Sequence, residues 1–241
     1  MTLPVVLLPG SMCDAALFAG QLESLGSAAS VGDLTRSSTI EAMAADVLCH
    51  APPVFAVAGL SLGGIVAAEV AAQAPGRVAG VALIDTNLGF ADEVQLENRR
   101  RWPEVVRAGG FEVLISAFGH MTVDPQTHGQ TIVDMARRIG PEVFLRQNQA
   151  LLHRRDRRND PASLSCPVLI ACGREDSLCP PAMHRDLARR IPQARLSIVD
   201  RAGHLSTIDQ PEELTSLLAE WLNLCNTNQP MKGTDHEYHQ V

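Results

Sequence analysis

Ser61 stands in Gly59-Leu60-Ser61-Leu62-Gly63, with Gly64 next, a spacing that suits a nucleophilic hydroxyl carried on a sharp turn. The apolar run 54–58 leads in and Ile65-Val66-Ala67-Ala68 leads out, so the turn joins a strand to a helix. A serine on such a turn takes a strained φ/ψ, and its neighbours two positions away must be glycine to avoid clashes. An ordinary glycine-rich turn would want the same glycines. Nucleophilic chemistry therefore needs a base and an acid elsewhere in the chain. Asp176 follows the apolar run 168–172 in Cys172-Gly173-Arg174-Glu175-Asp176, and His204 follows the last apolar run in Ala202-Gly203-His204-Leu205. Alone, Asp176 suits a helix N-terminus ahead of Pro180-Pro181, and a loop histidine suits a wet surface. Together, in the chain order Ser, Asp, His, they suit acyl transfer: His204 as base to Ser61, and Asp176 holding the imidazole. Asp85, at the end of an earlier strand, and Glu175 are the rival acids. We expect Asp85 to bond loop amides and support the start of the following segment, and Glu175 to face solvent. A histidine base predicts a rate that rises with pH through an ionisation near 6.5, that of free histidine.

These side chains need a frame that brings strand ends together. Short apolar runs at 5–8, 54–58, 78–84, 168–172 and 196–199, with a further short strand allowed at 30–34, alternate with helical patterns at 15–25, from about 38 to 49, and at 62–73, 181–191 and 211–224. The runs do not alternate polar and apolar residues, which predicts a parallel sheet covered on both faces. The texture changes at 86–160, where helical periodicity is broken at Gly109-Gly110, Asp124-Pro125 and Gly140-Pro141 and no strand pattern occurs. That segment carries a net charge of +1 against −8 for the remainder. We read 1–85 with 161–225 as the α/β core, 86–160 as a helical insert over one end of the sheet, and 226–241 as a disordered polar tail. The arginine clusters at 99–101 and 154–158 read as a solvated face. His120 and His128 lie in the insert, where either could line a pocket, though surface placement is expected.

Composition excludes several classes. The 241 residues carry a net charge of −7 and only 4% aromatics, which argues against a nucleic-acid partner. The start lacks the basic residues of a signal peptide, and no run approaches the ~20 apolar residues of a membrane helix. The expectation is a soluble cytoplasmic protein with no membrane partner; the oligomeric state is not legible. Cys166, Cys172 and Cys179 with His184 do not have zinc-site spacing, so the cysteines read as buried free thiols and no metal is expected.

With these motifs in place, the chain resembles the α/β-hydrolase superfamily, and within it small bacterial carboxylesterases of the pimeloyl-ester-hydrolase and lactonase type. Gly59–Gly64 match the nucleophile elbow, 173–176 the acid loop, and Gly203-His204 with Asp209-Gln210-Pro211-Glu212-Glu213 the histidine loop and the helix after it. The resemblance covers about 3–224. It implies a three-layer α/β-hydrolase fold with a helical cap, a serine esterase with a catalytic triad, a small ester, thioester or lactone as substrate, and no cofactor. It also implies an oxyanion hole from the backbone N–H groups of Ser11 and Leu62. Two departures stand out. The loop after the first strand begins Pro9-Gly10 where relatives have His-Gly, and the usual N-terminal hairpin is absent, so about six strands are expected. Lyases, cofactor-free haloperoxidases and C–C bond hydrolases use the same scaffold, as does a binding protein that has lost catalysis, so fold leaves the reaction open.

Overall fold

The computed structural model describes residues 3–160 and 164–227. Six strands, β1 (Val5–Leu8), β2 (Ala29–Val31), β3 (Phe55–Leu60), β4 (Val78–Ile84), β5 (Val168–Gly173) and β6 (Ala194–Val199), form one sheet in the order β2-β1-β3-β4-β5-β6. Every neighbouring pair is parallel. The core helices are α1 (Ala19–Leu25), α2 (Ile40–His50) and α3 (Leu62–Gln73). Thr39 caps α2 by accepting from the Ala42 amide. The insert follows β4 as α4 (Glu93–Arg107), α5 (Phe111–Phe118) and α6 (Pro125–Leu152). The chain then closes with α7 (Pro181–Arg190), the short α8 (Ser206–Asp209) and α9 (Pro211–Thr227).

The central strands β1, β3, β4 and β5 read as unbroken apolar runs because both their faces are dry. Leu8, Val57, Leu83 and Ile170 pack on one face in a cluster with Met43, Val66 and Leu187 from α2, α3 and α7. Leu7, Ala58, Ala82 and Ala171 face the other way, toward Leu218 and Trp221 of α9. Gly80 leaves room for α9, since a Cβ there would overlap Cys225 Sγ.

Residues 86–160 hold three helices joined by irregular segments, and no strand. α6 breaks at Gly140, whose φ of 81° precedes Pro141. The insert has a small core of its own, with Phe144, Ile115 and Ala136 closing over Met12. The arginines depart from expectation: Arg154 and Arg157 are buried. Arg157 pairs with Glu69 on α3 and with Asp160, and Arg154 donates from Nε to the Gly89 carbonyl at 2.9 Å. Arg157 thus staples the insert to the core, while Arg154 ties the insert to itself, and a charge pattern along the chain shows neither contact.

Other boundaries move slightly. β3 runs through Leu60, two residues beyond the expected end, so Ser61 leaves the sheet directly. α9 runs to Thr227 and takes in the first two residues of the expected tail; the rest of that tail, 228–241, lies outside the described residues. The cysteines are free thiols, but Cys49 is exposed and Cys166 only half-buried. Among the described residues no helix is long and apolar enough to cross a membrane.

Candidate active site

In a parallel sheet the carboxyl ends of the strands share an edge. The turns after β1, β3, β4, β5 and β6 therefore bring Ser11, Ser61, Asp85, Asp176 and His204 to one place. Ser61 sits between β3 and α3 at φ 54°, ψ −113°, a conformation that costs a non-glycine residue energy. Its amide donates to the Ile84 carbonyl at 2.9 Å, and its carbonyl accepts from Thr86 Oγ1 at 2.7 Å, which holds the strained residue in place. The flanking glycines are required by close approach. A Cβ on Gly59 would overlap the Gly63 carbonyl, and one on Gly63 would overlap the Leu8 carbonyl.

His204 Nε2 lies 3.0 Å from Ser61 Oγ, and His204 Nδ1 lies 2.9 Å from Asp176 Oδ2. The bond to a carboxylate assigns the proton to Nδ1, which leaves Nε2 free to accept from the serine. The other carboxylate oxygen of Asp176 accepts from the Leu178 and Cys179 amides, each at 2.8 Å. Burial works against its charge, but the bonds from His204 and these amides hold the carboxyl below its ordinary 3.8. Burial likewise opposes the imidazolium, yet the Asp176 bond, with the neighbouring Cys179, holds His204 well above the ordinary 6.5. This changes the pH expectation. A histidine acting as base must be neutral to accept a proton, so with His204 in that role activity is expected to be absent at low pH and to appear as pH rises through an ionisation above 6.5. A kcat/KM profile from pH 5 to 10 checks this, and a midpoint at or below 6.5 would contradict it.

The other two acids are bonded elsewhere. Asp85 is fully buried, with one oxygen accepting from the Gly173 amide at 2.9 Å. Its other oxygen accepts from the Ser206 amide at 3.1 Å and the Ser206 hydroxyl at 2.6 Å. It thus bonds loop amides as expected, but the loops are those of Asp176 and His204 rather than the start of the insert. Burial, then the charge of Asp176, push its carboxyl up to about 7. Glu175 is exposed, and its carboxylate accepts from the Ala202 amide at 3.1 Å.

Three supporting side chains have no motif to announce them. Gln147 of α6 accepts at one oxygen from Ser11 Oγ at 3.1 Å and from the Met12 amide at 2.9 Å, fixing the loop after β1, where Met12 has a φ of 66°. Buried His184 of α7 accepts at Nε2 from the Thr86 amide at 3.0 Å; burial lowers it to about 4, so it is neutral. Thr86 in turn bonds the Ser61 carbonyl. Of the expected oxyanion donors, Leu62 provides the first amide of α3, which has no partner within the helix. Ser11 lines the same cavity as Ser61 and His204. That cavity has a volume of about 360 Å³, and its walls include Trp102, Phe118 and Phe144 from the insert. His120 is exposed, and neither it nor His128 lines the cavity. Among the described residues, the one metal-like cluster of His, Cys, Asp or Glu is Asp176, Cys179 and His204, which is not the cysteine set considered from spacing.

Comparison with known proteins matches residues 5–217 to the Alpha/beta hydrolase family. The chain belongs to that family. This α/β-hydrolase is 30% identical over 212 residues to a pimeloyl-[acyl-carrier protein] methyl ester esterase of Aromatoleum aromaticum, covering 78% of this chain and 82% of the relative. Its fold superposes on a thermophilic esterase from Thermogutta terrifontis with a TM-score of 0.82 and 30% identity, covering 92% and 90% of the two chains. An enol-lactonase from Burkholderia xenovorans LB400 shares the fold at 22% identity and a TM-score of 0.77, covering 92% of each chain. The family and these esterase relatives make this protein a hydrolase of the esterase type.

Proposed function

We propose that this hydrolase cleaves a small carboxylic ester, thioester or lactone through an acyl-enzyme on Ser61. The observation that carries the reading is the unbroken chain from Ser61 Oγ through His204 to Asp176, with both links within hydrogen-bond reach. Ser61 Oγ attacks the carbonyl carbon as His204 Nε2 takes its proton. The oxygen of the tetrahedral adduct gathers negative charge beside the Ser11 and Leu62 amides, each such donor lowering the barrier by about 3–4 kcal/mol. The adduct collapses, and the alcohol leaves with the proton from His204. Water, deprotonated by the same histidine, then releases the acid and restores Ser61. No step calls for a metal or an organic cofactor. The insert 86–160 supplies cavity walls and no member of the triad, so it would choose the acyl and alcohol groups.

The test is a hydrolysis screen of the purified protein on aryl, alkyl and thioesters of graded chain length, with lactones and a C–C-cleavable diketone alongside. Ester turnover with a chain-length optimum supports the reading. Diketone cleavage with no ester turnover would move the protein to another reaction on the same scaffold.

A further inference from the structure

One face of α4 looks into the cavity: Gln95, Asn98, Arg99 and Trp102, at helical spacing, all line it. Arg99 is the unusual member. Its guanidinium lies over the Trp102 ring, 5.4 Å from the centroid, and NH1 donates to Asn148 Oδ1 at a long 3.4 Å. Its Nε is shielded from water and has no acceptor, and among the described residues no carboxylate pairs with it. The charged group that acts on it most is another cation, Arg154. Buried Arg154 bonds only the carbonyls of Gly89 and Leu151. Burial, and then the repulsion of Arg154, lower Arg99 to about 10, which leaves it charged at neutral pH. Most buried arginines face an acid, as Arg157 faces Glu69. Here a guanidinium lines a largely apolar cavity with no carboxylate partner among the described residues, and the repulsion it feels comes from a second arginine.

We propose that the α4 wall, centred on Arg99, receives an anionic group carried by the substrate, a carboxylate being the simplest case. This rests on the ester-hydrolase reading and narrows it to half-esters, lactone acids and similar compounds with a second, ionised end. A neutral chain entering the cavity would strip water from Arg99 and return nothing, whereas a carboxylate makes a charge-assisted bond.

The test compares monomethyl adipate with methyl 6-methylheptanoate, in which an isopropyl group replaces the carboxylate at similar shape. Native protein should favour the anionic ester by about 10- to 100-fold in kcat/KM, mostly through KM, as expected for a charged hydrogen bond away from the reacting atoms. Arg99→Met should collapse that ratio toward one, and Arg99→Lys should keep part of it. A second arm needs no turnover: calorimetry of the native protein should show adipate binding more tightly than hexanoate, and Arg99→Met removing the difference. Should the hydrolase reading fail, neither ester is cleaved, yet the calorimetric arm still reads Arg99. The native comparisons stand even where a variant does not fold. Equal preference for the paired compounds in native protein, or a preference unmoved by Arg99→Met, would overturn the proposal.

Discussion

Ser61→Ala is expected to lower ester turnover by about 10⁴- to 10⁶-fold, and His204→Ala by a similar factor. In the proposed mechanism the two side chains act as one unit, across a 3.0 Å contact. Without the hydroxyl the histidine has nothing to activate, and without the ring the hydroxyl keeps its proton. The double variant should therefore lose hardly more than either single one, a non-additivity that two independent contributions would not show. An active-site-directed phosphonate, mapped by peptide mass, should label Ser61 in native protein and nothing in Ser61→Ala. The neighbouring nucleophiles are poor competitors. The Ser11 hydroxyl is engaged with Gln147, and burial pushes the Cys13 thiol up to about 12, so it is protonated at working pH. A label on Ser11 or Cys13 with Ser61 free would remove Ser61 from its role.

The second large effect separates the two buried acids. Asp176→Asn should lower turnover by roughly 10⁴, the size seen when a protease triad loses this charge. The local bonding explains why a near-isosteric change is so costly. One oxygen of Asp176 accepts from the Leu178 and Cys179 amides. An asparagine would keep its carbonyl oxygen there, since its NH₂ would face two donors. The NH₂ would then point at His204 Nδ1 and donate to it. The ring would respond with its proton on Nε2, facing Ser61, where it cannot accept. Asp85→Asn should cost only about tenfold, because Asp85 touches the loops and not the ring. Its NH₂ would oppose either the Gly173 amide or the Ser206 donors, loosening the acid and histidine loops by a fraction of an ångström. Kinetics of both variants on one ester decide the matter. The larger loss at Asp85 would move the acid to the earlier strand.

Much of this molecule was legible along the chain because the information is local. The bounds of α3 and β4 follow from apolar runs closed by Gly, Pro and a change of period, and they coincide with the structure. The glycines around Ser61 mark the elbow because backbone clashes act within a few residues. The order Ser61, Asp176, His204 could be read for the same reason, each lying just past a recognisable strand. What no stretch of sequence could decide was reach. Asp176 and Asp85 both end strands, and only the positions of β4 and β5 in the sheet, with the turns after them, put one carboxylate on the ring and the other on the loops. Gln147 meets Ser11 across 136 positions of chain, and polar residues on a helix carry no mark of such a partner. Arg154 and Arg157 look like a solvated run, because charge pattern reports composition and not which face of a segment packs. His204 likewise shows its identity but not its proton affinity, since burial and the Asp176 carboxylate, both products of tertiary packing, move it from the value of a free histidine.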